Sequence, residues 1–520
     1  MITQTLIKSG EYFDSITLLQ AAQGLLALAG VQDAAVVMGT PTNRGILSDA
    51  GLLTPEAEAA SSDDLVIAVR AESAEVAAQA MAEADRLLKA SRAVKDEGGA
   101  AAPKTLAAAT QRLDGANIAL ISVAGRYAAG VAREALQRGL HVFLFSDNVS
   151  VEDEIALKTL GREQGLLVMG PDAGTAIVNG VALGFANHMI AGPVGVVAAA
   201  GTGLQAVTSA LARLGVGITQ GIGTGGRDLS EAVGGIMMIE GIKALQADPA
   251  TAVLLLVSKP PAPDITKRVL EQLQASPKPA VVCFLGGKAK AIRKAGGLPA
   301  ETLEEAAYLA AALVNGIEPQ VARQQLQDRE QAYKKAAKKL KKLLKPEQQY
   351  FRGLFSGGTF CYETQLILGE MLGAGMVRSN APVDKQCRMA DANHSEGHTA
   401  VDLGEDEFTV GRLHPMLDPS LRNRRIVQEA LSPETAIIFL DIVLGYGVHP
   451  DPAGAAIAAI QEARVKLQAQ KRDVVFIAAV CGTNGDPQNA REQEAKLEAA
   501  GVVVMPSNAA VTRLAGYVLS

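Results

Sequence analysis

The sequence predicts an α/β protein in which strands and helices alternate along most of the chain. Short apolar segments alternate with amphipathic helical segments from residue 116 onward, an order typical of parallel sheets with right-handed crossovers. Glycine supplies 52 of the 520 residues, above the average of about 7%, and many of these glycines fall between a strand and a helix. At roughly 150 residues per domain, this length predicts about three to four domains.

Residues 1–95 predict a small ferredoxin-like α+β domain. Apolar residues alternate in the strands and recur at helical spacing in the helices, which gives strands at 3–8, 34–38 and 64–69 and helices at 15–29 and 74–88. A strand–helix–strand unit followed by a strand–helix unit suits a ferredoxin-like or similar small domain. Residues 97–103, rich in Gly and Ala, predict a linker.

Residues 110–192 predict a Rossmann-like domain, and residues 193–316 predict a first flavodoxin-like module. The Rossmann-like domain has strands at 117–123, 141–145 and 166–169, separated by helices at 128–138 and 152–164. The module begins with a strand at 194–199, which passes through a glycine turn into a helix at 204–214, and it closes with a helix at 303–313.

Residues 317–349 predict a basic linker helix, and residues 350–520 predict a second flavodoxin-like module. We interpret the seven lysines of the linker helix as solvated, with a patch for an anionic partner as the alternative. The second module repeats the start of the first, with a strand at 350–355, a turn at 356–359 and a helix at 360–372. Because the two turns fall at matching positions, we interpret the modules as a duplication.

Composition argues against several classes of function. The net charge is −6 and the chain has 8 Tyr, 11 Phe and no Trp, so we expect no nucleic-acid partner. The four cysteines lie far apart without a C-x-x-C pair, which argues against a disulfide framework or a zinc site, and we expect no metal. No apolar run reaches about 18 residues and residues 1–9 show no signal peptide. We therefore expect a cytoplasmic protein with no membrane partner.

Two glycine turns are the main candidates for a binding site. A strand that passes through a glycine turn into a helix leaves backbone N–H groups open at the helix N-terminus, where a phosphate or carboxylate binds well. Glycine lets the anion approach closely, and threonine adds a hydroxyl donor. A turn that is merely tight is the alternative. The predicted phosphate-binding residues of these turns are Gly201, Thr202, Gly203, Gly357, Gly358 and Thr359.

A third glycine-rich stretch, residues 221–228, precedes another helix. We predict that Gly225 and Gly226 also bind phosphate, and that the guanidinium of Arg227 binds a phosphate or carboxylate through two N–H groups. The stretch is not a P-loop, because no G-x-x-x-x-G-K-[ST] motif occurs. A flexible structural loop is the alternative.

A proline-rich loop in the second module supplies further candidates. Arg412 and His414 have the chemistry to hold an anion and move a proton, and Arg422 with Asn423 is predicted to bind the substrate. A rigid connecting loop is the alternative. We expect the acidic residues between 402 and 407 to form a solvated loop.

Several strings carry a resemblance to a known family. Residues 170–174 (Gly-Pro-Asp-Ala-Gly), 200–203 and 223–228 resemble the α-subunit of succinyl-CoA synthetase. Nearly the whole chain resembles the FdrA family of acyl-CoA-synthetase-like proteins, most clearly at residues 145–154, 258–262 and 414–419. The resemblance implies that the Rossmann-like domain is of the CoA-binding type and that both modules are of the succinyl-CoA-synthetase type.

The resemblance implies two enzymatic functions. One is a subunit of a carbamoyltransferase of ureide or oxamate catabolism, which exchanges a carbamoyl group between a ureido acid and phosphate to give carbamoyl phosphate and requires no further cofactor. The other is an NDP-forming acid–CoA ligase like succinyl-CoA synthetase, which needs CoA, a nucleotide and a partner subunit. A non-catalytic scaffold subunit that senses an anion is a third alternative.

The chain departs from a working synthetase in ways that favour carbamoyl transfer. It shows no G-x-x-G-x-x-G loop for CoA, no His in the loop at 285–297 and no ATP-grasp domain. Carbamoyl phosphate needs only fixed N–H donors and cations to stabilise charge in the transition state. We therefore expect the turns at Gly203 and Gly358 to hold phosphate with Arg227, and Arg412 or His414 to contact the substrate. We expect small anionic substrates, other protein subunits and further copies of the chain as partners.

Overall fold

The mixed α/β fold predicted from the sequence is confirmed in the computed structural model. The structure describes residues 2–11, 13, 15–26, 28–96, 103, 105–123, 125–409 and 412–520. The chain divides into two units, one made of Met1–Asp114 with Thr409–Leu413, and the other of Gly115–Phe408 with His414–Ser520. Most of the predicted linker at 97–103 lies outside the described residues.

The first unit is the small N-terminal domain. Its three strands form an antiparallel sheet in the order β1-β3-β2, so β3 is the central strand and is buried along most of its length. The βαββαβ ferredoxin-like pattern has a fourth strand, and the described residues of this unit form three. The elements are β1 (Ile2–Lys8), α1 (Ser15–Leu26), β2 (Val31–Met38), α2 (Pro41–Asp49), α3 (Pro55–Ala59), β3 (Leu65–Ala71), α4 (Ala74–Asp96) and α5 (Leu106–Arg112).

The second unit begins with a three-stranded parallel sheet in the order β4-β5-β6. The following helix α7 starts at the capping side chain of Ser150, which accepts a hydrogen bond from the Asp153 N–H, and ends at Gly165 in the left-handed conformation; both are standard helix boundaries. The elements are β4 (Ile118–Ile121), α6 (Gly125–Gln137), β5 (His141–Leu144), α7 (Val151–Gln164) and β6 (Val168–Met169).

A seven-stranded sheet follows, in the order β13-β12-β11-β9-β10-β7-β8. The five strands from β13 to β10 are parallel, and β7 and β8 add an antiparallel hairpin at one edge. The elements are β7 (Thr175–Val178), β8 (Val181–Gly184), β9 (Ala191–Ala198), α8 (Gly201–Arg213), β10 (Ile218–Gly223), α9 (Ile236–Ala247), β11 (Val253–Ser258), α10 (Pro263–Gln274), β12 (Ala280–Phe284), α11 (Ala289–Lys294), β13 (Leu298–Pro299) and α12 (Leu303–Val314).

The hairpin of β7 and β8 differs from the sequence-based division of the chain. The sequence places residues 175–184 in the Rossmann-like domain, whereas the structure pairs them with β10 of the next sheet. The turn explains the hairpin, because Asn179 and Gly180 both have positive φ angles (50° and 77°), as a two-residue turn between antiparallel strands requires.

The last sheet has six parallel strands in the order β15-β16-β14-β17-β18-β19. A short 3-10 helix lies at Lys385–Cys387. The elements are α13 (Pro319–Lys341), β14 (Tyr350–Phe355), α14 (Gly358–Leu372), β15 (Val377–Arg378), β16 (His398–Asp402), α15 (Asp406–Thr409), α16 (Ser420–Leu431), β17 (Thr435–Val443), α17 (Pro452–Ala469), β18 (Val475–Cys481), α18 (Ala490–Ala499), β19 (Val503–Met505) and α19 (Asn508–Leu519).

The basic helix α13 is part of the folded unit rather than a free connection. It buries Ala322 and Ala337 as it packs against α12 and α19, and most of its lysines face solvent on the other side. The largest hydrophobic core likewise joins residues of the seven-stranded and six-stranded sheets. The two modules are therefore packed together, which brings their glycine turns within reach of each other.

The structure also bears on the cysteines and on membrane-spanning helices. All four cysteines are free and buried, and burial raises the pKa of the Cys361 and Cys481 thiols. Among the described helices, none combines the length and apolar character needed to cross a membrane.

Candidate functional site

The N-termini of α8 and α14 meet in the structure. Each helix follows the central strand of its own sheet, β9 or β14, through the glycine turn predicted from the sequence. The N–H of Thr359 donates a hydrogen bond to Thr202 Oγ1 at 3.3 Å. A methyl group on Gly357 would lie 2.6 Å from Thr202 Cγ2. Glycine at position 357 is thus required for the two turns to approach each other.

The two turns differ in how their N–H groups are used. At α14, the N–H groups of Ser356 and Gly357 both donate to the buried carboxylate of Asp441, at 2.8–3.0 Å, so an internal anion occupies part of the predicted phosphate site. At α8, the capping residue Ala200 has no side chain that accepts a hydrogen bond.

Four N–H groups at the two termini have no acceptor within the described part of the chain. The first N–H groups of any helix lack a partner within the helix and are satisfied by a capping side chain, by water or by a ligand, and three of the four belong to the first turn of α8, which has no side-chain cap. Thr202 and Gly203 are buried, and Gly201 and Gly358 are half-buried. The four residues are Gly201, Thr202, Gly203 and Gly358.

A chain of contacts connects these termini with the loops around them. A methyl group on Gly201 would lie 3.9 Å from Gly174 Cα, and Gly174 O accepts a hydrogen bond from the Phe185 N–H at 2.8 Å. The ring of Phe185 then lies 5.6 Å from the ring of His414. These contacts connect the predicted residue His414 with the turn of α8 through Gly174 and Phe185.

The loop after β16 connects His414 back to the start of α14. A methyl group on Gly404 would lie 2.8 Å from His414 Nε2 and 3.2 Å from Asp402 Oδ1. A methyl group on Gly358 would collide with Asp402 Oδ2, so only glycine leaves room for this carboxylate. We call this closed group of residues the ring site: Gly174, Phe185, Gly201, Thr202, Gly357, Gly358, Asp402, Gly404 and His414.

Asp402 is a residue of the site that the sequence analysis missed. We expected a solvated acidic loop, and Glu405, Asp406 and Glu407 are indeed exposed, but Asp402 is only 3% exposed. The prediction is wrong for Asp402 because this residue ends a fully buried strand, β16. Burial, reinforced by the negative charge of Glu405, raises the pKa of Asp402 to about 7.

The cation that acts on Asp402 is Lys259, which the sequence analysis noted only as part of a shared string. Lys259 follows β11, at the carboxyl edge of the seven-stranded sheet, where ligands of parallel sheets bind. Its positive charge lowers the pKa of Asp402, and its Nζ lies 5.4 Å from the centre of the Tyr362 ring on α14. Both Lys259 and Asp402 lie at the ends of apolar strands, and this position in the sequence could have marked them as candidate site residues.

His414 is a neutral group at the ring site. Burial lowers its pKa to about 4, so the imidazole is uncharged at neutral pH. Its Nδ1 accepts a hydrogen bond from the Met416 N–H at 3.3 Å, which assigns the proton to Nε2. His414 is therefore a hydrogen-bond donor rather than a cation for holding an anion.

The other predicted residues of this stretch are placed as follows. Arg412 is exposed and lies in Thr409–Leu413, which groups with the N-terminal unit. Arg422 is buried and pairs with Asp441 at 3.1 Å while donating to Ser356 Oγ at 2.7 Å, so it supports the turn before α14. Asn423 donates to the Ala455 carbonyl at 3.0 Å.

The third glycine-rich stretch is a structural element in large part. Gly221 and Gly223 lie in β10, and Gly225, with a φ of 87°, packs against the Pro171 carbonyl. Gly226 has open space around it. The guanidinium of Arg227 pairs with Glu154 at 3.0 Å and donates to the Val149 carbonyl at 2.8 Å.

A buried charged network explains why this stretch is ordered. Lys158 Nζ donates to Glu154, Asp228 and the Thr224 carbonyl at 2.7–2.9 Å, and all three charged side chains are fully buried. Asp228 also accepts the N–H groups of Met237 and Met238 at the start of α9. A buried cation with two carboxylates fixes the loop. Arg227 supplies a second positive charge, so that two cations face the two carboxylates.

Comparison with known families identifies the class of protein. The family described as CoA-ligase matches residues 354–518, and the CoA binding domain matches residues 190–286. The CoA binding match falls almost entirely in the predicted first flavodoxin-like module (193–316) rather than in the Rossmann-like domain (110–192), where the resemblance placed the CoA-binding type. The chain thus carries a CoA-ligase domain and a CoA-binding domain, as the fold prediction states.

A curated relative identifies the family itself. The chain is 42% identical over 510 residues to the uncharacterized protein YahF of Escherichia coli (strain K12), which covers 98% of this chain and 97% of YahF. The chain belongs to the same family as YahF.

Solved structures show weaker similarity. The dinucleotide forming acetyl-coenzyme A synthetase 1 of Ca. Korarchaeum cryptofilum, in complex with phosphate and ADP, is 14% identical with a TM-score of 0.35, covering 81% of this chain and 86% of that chain. The ATP citrate lyase of Methanothrix soehngenii, in complex with citrate and coenzyme A, is 18% identical with a TM-score of 0.36, covering 41% of this chain and 42% of that chain.

The N-terminal region matches a family whose name implies a metal. Residues 1–105 match the heavy metal-associated domain of AllF. Heavy-metal sites use thiolate and imidazole ligands, and this range contains neither Cys nor His. No group of three or more His, Cys, Asp or Glu suitable for a metal occurs among the described residues. The donor set of this domain therefore does not fit a heavy metal.

Proposed function

We propose that this chain is a subunit of an enzyme that transfers an acyl or carbamoyl group to or from phosphate, and that phosphate oxygens bind at the ring site. The observation that carries the proposal is the set of four buried or half-buried N–H groups without acceptors at the two meeting helix termini. A helix N-terminus carries roughly half a positive charge, and fixed N–H donors stabilise the charge that develops on phosphate and carbonyl oxygens.

The surrounding side chains support an anionic, phosphate-containing substrate. Lys259 adds a positive charge at the end of β11, and the Thr202 hydroxyl still has its hydrogen to donate, since its oxygen accepts the Thr359 N–H. His414 adds a neutral N–H donor. The Asp441 carboxylate already occupies two N–H groups of the α14 turn, so we place the phosphate mainly on α8 rather than equally on both helices.

The acid–CoA ligase form of this proposal is supported by the matched domains. Ligases of this class pass through an acyl phosphate, and the CoA-ligase and CoA binding families together cover most of both modules. In this form a partner subunit supplies the nucleotide site, CoA attacks the acyl phosphate, and the ring site holds the phosphate that leaves.

The carbamoyl form is supported by the loop that follows β12. In the synthetases that the chain resembles, a His in this loop carries the phosphoryl group. Residues 285–297 here contain no His and form the short helix α11, with Lys and Arg side chains. Transfer between a ureido acid and phosphate needs no carrier, because phosphate is itself a substrate. The FdrA resemblance favours the same reaction.

A binding experiment and two assays test the proposal. Phosphate binding to the full chain is measured by equilibrium dialysis for the wild type, Lys259→Met and the control Lys267→Met. Lys267 is 76% exposed on α10 and lies 3.9 Å from Glu271. We expect roughly a tenfold loss of phosphate affinity for Lys259→Met and none for the control. The chain is then assayed, alone and with its partner subunits, for carbamoyl phosphate formed from ureido acids and for thioester formed from ATP and CoA. Absence of phosphate binding and of both products would overturn the proposal.

A further inference from the structure

The carboxyl group of Asp402 has one oxygen without a partner inside the ring site. Oδ1 accepts a hydrogen bond from the Gly404 N–H at 2.9 Å. Oδ2 accepts none from any residue that the structure describes, although Asp402 is 3% exposed. Oδ2 is packed against Gly358 at the start of α14, whose own N–H also lacks an acceptor among the described residues. Asp402 Oδ2 and the Gly358 N–H are thus both free to contact a group bound at this helix start.

The charged and titratable groups around Asp402 come from several elements. Glu405, in the loop that follows β16, and Asp441 on β17 are negative and disfavour ionisation of Asp402, whereas Lys259 after β11 favours it. Burial raises the pKa of Cys361 on α14, and His414 is neutral, so neither changes charge near pH 7. The balance leaves the pKa of Asp402 at about 7, close to the value at which a group both gives and takes a proton well.

We propose that Asp402 gives a proton to, and takes it from, the reacting nitrogen of the substrate at the ring site. The inference rests on the proposed function in its carbamoyl form. A phosphate oxygen attacks the carbamoyl carbon, so an O–C bond forms and the C–N bond breaks. The nitrogen keeps the electron pair of that bond and takes the proton of the Asp402 carboxyl, which becomes a carboxylate. In the reverse direction the carboxylate removes a proton from the attacking nitrogen.

The geometry around Gly358 supports this role. Because Gly358 lacks a side chain, the Asp402 carboxyl lies directly beside the α14 terminus. Thr202, whose N–H is one of the open groups of α8, contacts Gly357, the residue before Gly358. The Asp402 carboxyl and the open N–H groups of α8 therefore belong to two helix starts that are in contact. Attack of the phosphate oxygen on the planar carbamoyl carbon gives a tetrahedral intermediate, from which the nitrogen leaves when the neighbouring Asp402 carboxyl protonates it.

The experiment measures binding and transfer separately. Sulfate is a dianion throughout pH 6–8, so its affinity reports only the charge of the protein. Full-length wild type, Asp402→Asn and the control Asp406→Asn are compared; Asp406 is exposed in the first turn of α15. We expect wild type and Asp406→Asn to bind sulfate about tenfold more weakly at pH 8 than at pH 6. Asp402→Asn has nearly the same size as the wild-type residue. Its affinity should fall several times less than that of the wild type between pH 6 and pH 8, the remaining change coming from groups such as Asp172, whose pKa burial raises to about 6.

The transfer reaction is then followed across the same pH range with phosphate and a ureido acid. We expect Asp402→Asn to lower the transfer rate about a hundredfold or more and to remove the pH dependence near pH 7 while still binding sulfate. Sulfate binding or transfer with the wild-type pH dependence in Asp402→Asn would overturn the inference. Failure of the proposed function has a different signature, in which the wild type itself transfers no group at any pH. Sulfate binding then still decides whether Asp402 faces the bound anion.

Discussion

Replacing Lys158 by Met is expected to destabilise the second unit strongly. Lys158 Nζ makes hydrogen bonds of 2.7–2.9 Å to Glu154, Asp228 and the Thr224 carbonyl, and its side chain is fully buried. Methionine fills a similar volume without charge. The substitution therefore removes the cation and leaves its two buried carboxylates in place.

The size of the effect follows from what remains around each carboxylate. Glu154 keeps only the ion pair with Arg227 at 3.0 Å, and Asp228 keeps the two N–H groups at the start of α9. Removing one partner of a buried ion pair costs about 3–5 kcal/mol, because an uncompensated charge stays in the interior. At about 2–4 °C per kcal/mol for a large domain, the melting temperature should fall by roughly 10 °C.

Thermal unfolding followed by circular dichroism measures this loss, and an exposed lysine provides the control. Lys243 pairs with Glu240 at 2.8 Å on the surface of α9 and is 50% exposed, so Lys243→Met should cost less than about 0.5 kcal/mol. A Lys158→Met variant as stable as Lys243→Met would refute the argument that the buried network orders the loop around Arg227.

Three further substitutions test the inside of the second unit. Gly357→Ala places a methyl group 2.6 Å from Thr202 Cγ2 and should cost about 1–3 kcal/mol in urea unfolding, with most of the loss restored when Thr202→Ala is added. Asp441→Asn weakens the ion pair with Arg422, and a loss of about 3 kcal/mol or more is expected; an unchanged urea midpoint would contradict this. Burial raises the pKa of Glu363 to about 7, above its ordinary value, so the folded state holds this proton more tightly and the stability of the wild type should fall between about pH 4.5 and 7. Glu363→Gln should remove up to about 3 kcal/mol of that pH dependence, and identical pH profiles for both proteins would rule it out.

The glycine turns show how much of the site was predictable. A strand, a glycine turn and a helix is a local pattern, and both turns lie where the sequence placed them, at the start of α8 and α14. The sequence did not reveal that Asp441 occupies two N–H groups of the second turn. Asp441 is 84 residues from Gly357 along the chain, and only the pairing of β14 with β17 brings them together.

Arg227 and Lys259 show that residue type does not reveal which carboxylate a cation will act on. Arg227 lies in a glycine-rich loop and has the right chemistry for phosphate, but its guanidinium pairs with Glu154, which lies 73 positions earlier in the sequence. Lys259 has no glycine motif beside it, yet its charge acts on Asp402. The role of each cation depends on the carboxylate that the folded chain places beside that cation.

By itself the sequence determined the local features of this protein: the order of strands and helices, the glycine turns at the helix starts and the small N-terminal domain. These features depend on apolar periodicity and backbone freedom, which act between residues close in the chain. The tertiary structure alone decided that the two turns meet, that Asp402 is buried beside Gly358 and that its proton is lost near neutral pH. Burial and charge depend on contacts between residues distant in the chain, and these contacts exist only after the sheets have packed.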